Sequence, residues 1–276
     1  MHITQCQIYL VEIKQTSPLA PYRSHIRTTD TTTKAIVELT TDTGIVGWGE
    51  HNQNFLDGIS IERQNIEATE FIDGWDPYNI EQFHVENPFE TRLRCGLEMA
   101  MWDIIGKDNN LPLYKMLGGK IRERIALAAC MGIQNYERAG EMARWYVDQG
   151  FTALKTKAGS DAQEDLDMVR GVRDAVGDQL QLRIDPNRAY SNEEAAELGR
   201  ALEPYNLEYF EQPIMADPLT DATWLRQQTS TPIALNESVE EPDSVLAILA
   251  ADAAEYILPD THIAGGILPC VKIGHI

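Results

Sequence analysis

Residues 151–187 read FTALKTKAGSDAQEDLDMVRGVRDAVGDQLQLRIDPN, and this stretch decides the fold. It opens on a short apolar run ending in Lys155-Thr-Lys157. It then passes through a segment of helical period closed by Gly177 and returns to a second apolar run ending in Asp185. That is one strand, one helix and the next strand. Outward from it the pattern repeats: LEYFE ends in Glu211 and PIALNE in Glu237. The steps from Lys157 to Asp185, to Glu211 and to Glu237 are 28, 26 and 26 residues. A near-constant step of this size is the unit of a (β/α) barrel, whose sites are built at the C-terminal ends of successive strands.

The same rhythm extends in both directions. Upstream, IALAACM reads as a strand and NYERAGEMARWYVDQG as a helix closed by Gly150. Downstream, SNEEAAELGRALEPY carries Ser191 as an N-cap with Glu194 at the capping-box position. LTDATWLRQQT and PDSVLAILAA are further helices, and AEYILPD is a sixth strand ending near Asp260. Strands alternating with helices imply a parallel sheet with right-handed crossovers. A closed barrel needs eight strands. The expectation is therefore an α/β fold with an incomplete barrel of about six strands over residues 119–276, truncated after strand six.

Residues 1–118 follow a different pattern. A strand-like start leads to a loop rich in turn formers, QTSPLAPYRSHIRTTD, and then to TKAIVELTT and IVGWGE, joined around Asp42-Thr-Gly44 as a hairpin. Two segments of helical period follow. In the second, Leu93, Leu97, Ala100, Met101 and Ile104 fall on one face. This is an N-terminal α+β domain.

A formal charge of −20 argues against a nucleic-acid partner, which needs a basic surface, and against docking on an anionic membrane. The four cysteines, Cys6, Cys95, Cys130 and Cys270, are scattered in apolar contexts and read as buried free thiols. The opening residues alternate like a strand and show no signal peptide. The longest apolar run is broken by Asp252 and Glu255, so the cytoplasm is the expected compartment.

Lys155 and Lys157 are two apart on a strand and face the same way, into the barrel. A neighbouring ammonium and a divalent cation each disfavour protonation, so a lysine here can act as a base. Asp185, Glu211 and Glu237 are hard oxygen donors without histidine or cysteine among them. That favours Mg2+ over Zn2+, with Mn2+ as a further option. Asn236 precedes Glu237, and alternation lets only one of them face the metal. Asn187, two beyond Asp185, could bond substrate or cap the turn. Arg183 is one layer deeper and reads as a structural partner for an interior acid. Asp260 ends the sixth strand five residues before Gly265-Gly266, while His262 and His275 are lone histidines with no ligand spacing.

These motifs together resemble the enolase superfamily, specifically its mandelate racemase/muconate lactonizing group. The resemblance covers essentially the whole chain. It rests on CGLEMAMWDIIGKDNNLPLYKMLGG, the K-x-K of LKTKAG, IDPN, YFEQP, LNES and PDTHIAGGI. It implies a capping domain on a modified barrel and Mg2+ held by Asp185, Glu211 and a strand-five residue. It also implies Lys157 as the base that removes the proton α to a carboxylate, with Lys155 and the metal holding the enediolate. At the end of strand six the lactonizing branch carries a second lysine. Asp260 there is similar to the mandelate-racemase and sugar-acid-dehydratase branch, in which it orients a strand-seven histidine.

The expected function is thus dehydration or racemisation of an α-hydroxy or sugar acid. A cycloisomerase, an amino-acid or dipeptide epimerase, and a catalytically impaired non-enzyme homologue are the alternatives. Specificity is expected from loops 15–30 and 50–58, with Arg23, His25 and Arg27 able to bind a polar or anionic group. The expected partners are a small-molecule carboxylate or sugar acid and other copies of this chain in a homo-oligomer.

Overall fold

The computed structural model describes residues 1–53 and 59–276, so residues 54–58 of the second capping loop lie outside the described residues. The chain opens with β1 (Ile3–Lys14), the short strands β2 (Tyr22–Arg23) and β3 (Thr28–Thr29), then β4 (Thr31–Thr41) and β5 (Val46–Asn52). β4 and β5 form the hairpin expected around Asp42 and Gly44, and the sheet order is β1-β4-β5, all antiparallel. The loop read as irregular over 15–30 contains the paired β2 and β3. Alternation puts Ala35, Val37 and Leu39 of β4 and Cys6 and Ile8 of β1 on one buried face, and the register shift between Ile3 and Gln5 brings Ile3 onto it.

Against that face lie α1 (Ile61–Ile72), α2 (Ile80–Glu86) and α3 (Thr91–Asp108), followed by α4 (Leu113–Met116). Leu93, Leu97, Ala100, Met101 and Ile104 of α3 are all buried, as their spacing requires. Cys6 and Cys95 are buried free thiols, each pushed up to about 12 by burial. Cys130 departs from expectation and is exposed, and Cys270 is partly so.

The second half alternates as its rhythm dictates. Its strands are β6 (Ala129–Met131), β7 (Ala153–Lys157), β8 (Gln181–Asp185), β9 (Tyr209–Glu211), β10 (Ile233–Leu235) and β11 (Tyr256–Ile257). The intervening helices are α5 (Tyr136–Asp148), α6 (Ala162–Val176), α7 (Asn192–Leu202), α8 (Leu219–Arg226) and α9 (Pro242–Ala250). The short α10 (Thr261–Ala264) and α11 (Ile267–Gly274) come last. The six strands form one parallel sheet in the order β11-β10-β9-β8-β7-β6. Ser191 and Glu194 make the capping box that starts α7.

The first of these strands is shorter than IALAACM suggests. Ile125 and Leu127 are exposed and the strand begins at Ala129, because this edge strand pairs with β7 alone. Among the described residues no helix is long and apolar enough to cross a membrane.

The two halves meet at Glu98, a fully buried carboxylate on α3. It accepts the backbone N–H of Ile267 and, at 2.9 Å, of Leu268, satisfying the exposed amides that start α11. His84 Nε2 stands 3.1 Å from the same carboxylate. Gly266, at φ 152°, lies flat against it, where a Cβ would come within 2.3 Å of a Glu98 oxygen. The Gly pair flagged in the sequence is therefore the seat of an inter-domain contact.

Candidate active site

Strand register places the key side chains in one row. Lys157 pairs with Asp185 across β7 and β8, and Lys155 sits one layer below, beside Arg183. Lys155 Nζ lies 2.6 Å from Glu211 Oε1 and 2.9 Å from Asp185 Oδ2. Lys157 Nζ lies 2.6 Å from that same Asp185 oxygen and also donates to Asn187 Oδ1. Asn187 in turn donates from Nδ2 to Glu237 Oε1 at 2.6 Å, linking the lysine to the strand-five acid.

Charge and burial act against each other here. Burial pushes Asp185 up, but Lys157 and Lys155 outweigh it and hold the carboxyl below its usual range. Burial, then the Asp185 charge beside it, push Glu211 up to about 7. Burial pulls Lys155 down, yet Asp185 and Glu211 prevail and hold its ammonium above the usual lysine range.

The three acids do not stand together as a ready-made ion cage. Among the described residues no group of three His, Cys, Asp or Glu side chains does. The lysine ammoniums lie between the carboxylates and neutralise them. The donor set nevertheless fits a hard divalent cation. Glu211 Oε2, at the end of β9, and Glu237 Oε2, just beyond β10, are buried oxygens without a hydrogen-bond partner, and β9 is the neighbour of the strand that carries Asp185. Asn236 is turned to the last strand, donating from Nδ2 to Leu258 O at 2.8 Å.

The capping loop reaches over this row. Arg23, expected to bind substrate, instead grips Glu164 with two bonds of 2.5 and 2.9 Å. A bidentate carboxylate leaves that guanidinium little to offer a ligand. Its backbone is equally engaged: Ile133 N donates to Arg23 O at 2.8 Å, and a Cβ on Gly132 would fall 2.6 Å from Arg23 N. His25 is closer to the site, with burial and then the Lys157 charge lowering its imidazole. Tyr22, which drew no attention in the sequence, contacts Cys130 Sγ at 3.6 Å. Burial first, with the Cys130, Asp185 and Glu211 charges adding, drives its phenol upward.

Below the row, Arg183 bonds Glu208 at 2.6 Å and lies over the Tyr209 ring, a supporting role. Asp165, fully buried at the start of α6, accepts from Gly159 N at 2.7 Å and from Tyr190 OH. It thereby ties the loop after Lys157 to the loop after Asn187. At the far strand, Asp260 caps α10 by accepting the His262 N–H at 2.7 Å. The lone-histidine reading of His262 fails, since its Nδ1 lies 3.3 Å from Asp260 Oδ1. A cavity of about 490 Å3 is lined by Lys155, Glu211, Asn236, Asp260 and His262, among others.

With this geometry in place, two family models match the chain. That described as "Mandelate racemase / muconate lactonizing enzyme, N-terminal domain" covers residues 7–118, and "Enolase C-terminal domain-like" covers 137–276. The chain belongs to the enolase superfamily. Among its relatives, N-succinyl-L-Arg/Lys racemase of Bacillus cereus is 27% identical over 100% of this chain and 76% of its own length. Arabinonate dehydratase of Saccharolobus solfataricus is 32% identical over 66% of this chain and half of its own. The structure of dipeptide epimerase from Enterococcus faecalis V583, complexed with Mg and L-Leu-L-Tyr, superposes with a TM-score of 0.89 at 27% identity. It covers 100% of this chain and 79% of that one. This enolase-superfamily chain is an enzyme, its chemistry that of racemases, epimerases and dehydratases, and Mg is bound in solved members of the family.

Proposed function

We propose that this chain removes the α-proton of an α-hydroxy carboxylate, a sugar acid by preference, and directs the product toward dehydration. The observation that carries the proposal is Lys157, whose ammonium is held at the end of β7 by Asp185 and Asn187 on the interior face. A cation bound by Asp185, Glu211 and Glu237 would supply the positive charge that draws in a substrate carboxylate and acidifies its α C–H.

The chain's own residues do the rest. Lys157, once deprotonated, takes the α-proton. Lys155 places a second positive charge where the carboxylate gains electron density, a gain that exists only as the proton leaves. Asn187 keeps Lys157 and Glu237 in register. His25 and Tyr22 cover the mouth and keep water from it.

A second reading, epimerisation of an amino-acid derivative, is supported by likeness over the whole chain to a dipeptide epimerase and an N-succinyl amino-acid racemase. Against it stands Asp260, a carboxylate, at the strand-six position where the lactonizing branch has an amine. Proton NMR in D2O with Mg2+ separates the two, using arabinonate and L-Ala-L-Glu as probes. The expected result is α-proton loss and dehydration of the aldonate, reduced about 10²–10⁴-fold in Lys157→Ala. Reaction of the dipeptide alone would favour the second reading, and undiminished exchange in Lys157→Ala would remove Lys157 as the base.

A further inference from the structure

Asn236 and Glu237 stand next to each other just beyond β10, yet their side chains leave in different directions. Asn236 Nδ2 donates to Leu258 O at 2.8 Å, beyond the end of β11. Glu237 Oε1 accepts from Asn187 Nδ2 at 2.6 Å, beyond the end of β8. Alternation along a strand lets either residue face the row of acids. A contact from outside β10 decides between them.

That contact comes from Gln212, the residue after Glu211. Its side chain is fully buried, and both donors and both acceptor positions of its carboxamide are filled. Oε1 accepts the backbone N–H of Asn236 at 3.0 Å and of Ser238 at 3.3 Å, the two amides that bracket Glu237. Nε2 donates to Ser238 Oγ at 2.9 Å and to Ile214 O at 3.1 Å. The main chain of Gln212 is engaged as well. Its N–H donates to Ala234 O and its carbonyl accepts from Arg188 N, each at 2.8 Å. The Arg188 guanidinium in turn donates to Glu237 O at 2.7 Å. The loops after β8, β9 and β10 thus meet at one residue. Gln212 also holds a left-handed φ of 37°, and such strain persists only where the surroundings enforce it. An apolar side chain there would leave the amides of Asn236 and Ser238 without that acceptor.

We propose that Gln212 is a positioning residue of the cation site: by gripping the amides on either side of Glu237, it makes that acid, and not Asn236, the third member with Asp185 and Glu211. The proposal rests on the assignment of those three acids above. All the polar atoms of Gln212 are engaged within the protein, so it acts through the β10 loop and not on cation or substrate. Because it follows Glu211 directly in the chain, it ties two of the three acids into one unit.

Mg2+ affinity of the full chain, measured by titration calorimetry, tests this. Glu237→Gln should weaken binding about tenfold or more by removing a charged ligand, while Asn236→Ala should change it less than about threefold. Gln212→Met should weaken it about 10–100-fold, as expected for a residue that holds a ligand in place. The double variant Gln212→Met/Glu237→Gln should then bind little worse than Gln212→Met by itself, because the acid is already displaced. Losses that simply add would show that Gln212 supports the fold without orienting Glu237, and would overturn the proposal. Unchanged affinity in Gln212→Met would do the same. If Glu237→Gln binds Mg2+ as wild type does, the assignment of Glu237 as a ligand is at fault, and the proposal falls with it.

Gln212→Glu keeps the test decisive should the Met variant not fold. A carboxyl buried there takes a proton and presents one acceptor and one donor, so Mg2+ affinity should stay within about threefold of wild type. Amide hydrogen exchange in chelator reads the loop without any cation. Asn236 and Ser238 should be protected in wild type and in Gln212→Glu, and lose that protection in Gln212→Met. Exposed amides in wild type, or protected amides with lost affinity in Gln212→Glu, would overturn the proposal.

Discussion

Lys155 Nζ donates to Glu211 Oε1 at 2.6 Å, so one buried acid of the proposed cation site is held by an ammonium of the same site. Removing the lysine while keeping its bulk leaves Glu211, about 1% exposed, without a counter-charge and Asp185 with Lys157 as its remaining ammonium. Lys155→Met should therefore lower stability by roughly 2 kcal/mol in chelator, less than the ~3–5 of a fully enclosed pair because Lys155 is partly exposed. Added Mg2+ should recover most of this. Thermal melts with EDTA and with Mg2+ check it, and a variant equally stable in both would show that the two acids do not share an ion.

The Arg23–Glu164 pair spans 141 residues and binds the capping loop to the start of α6. Both side chains are partly exposed, so the coupling between them should be about 1 kcal/mol in a double-mutant cycle of Arg23→Gln and Glu164→Gln. The same variants should raise KM more than they lower kcat, because the loop that covers the site loses its anchor. A change confined to kcat would instead give Arg23 a chemical role.

His51 is fully buried on β5, and burial, with His262 adding, lowers its imidazole from 6.5 to about 4. A depressed folded-state value means the unfolded chain takes up the proton first as pH falls. The stabilisation is complete above about 6.5 and is lost progressively as pH drops through about 4. Urea midpoints from pH 8 to 4 should fall in wild type and fall less in His51→Asn. Parallel curves would show that this imidazole is already charged in the folded protein.

Gly266→Ala should cost more than about 2 kcal/mol, since its Cβ would lie 2.3 Å from Glu98 and the φ of 152° disfavours a side chain. Gly274→Ala, at a position where a Cβ meets nothing within 4 Å, is the control and should be near neutral. Chemical denaturation of the two variants gives the comparison.

Much of this architecture was legible in order along the chain, for local reasons. The apolar runs ending in Lys157, Asp185 and Glu211 are each a strand whose last inward residue is polar, and strand, cap and helix signals lie within a few residues of one another. Ser191 and Glu194 show this in their capping box. What escaped depends on distance. Nothing near Arg23 announces Glu164, and nothing near Glu98 announces the amides of α11. His262 carries no ligand spacing in the sequence, and only the turn from Asp260 into α10 brings its ring to that carboxylate. The exposed start of IALAACM misled for a related reason: apolar residues need a second strand or helix to cover them, and hydrophobicity alone does not say whether one is there.

The buried Glu98 carboxylate has a consequence for how this polypeptide can be divided. It belongs to α3 but completes the amide end of α11, so each half supplies what the other lacks. Severed in the connecting stretch between α4 and β6, neither piece would be self-sufficient: one would bare an acid left with His84 alone and the other unmet donors. Mixed together, the two should recognise each other through that contact, and the cut enzyme would behave as a complementing pair rather than as two autonomous modules.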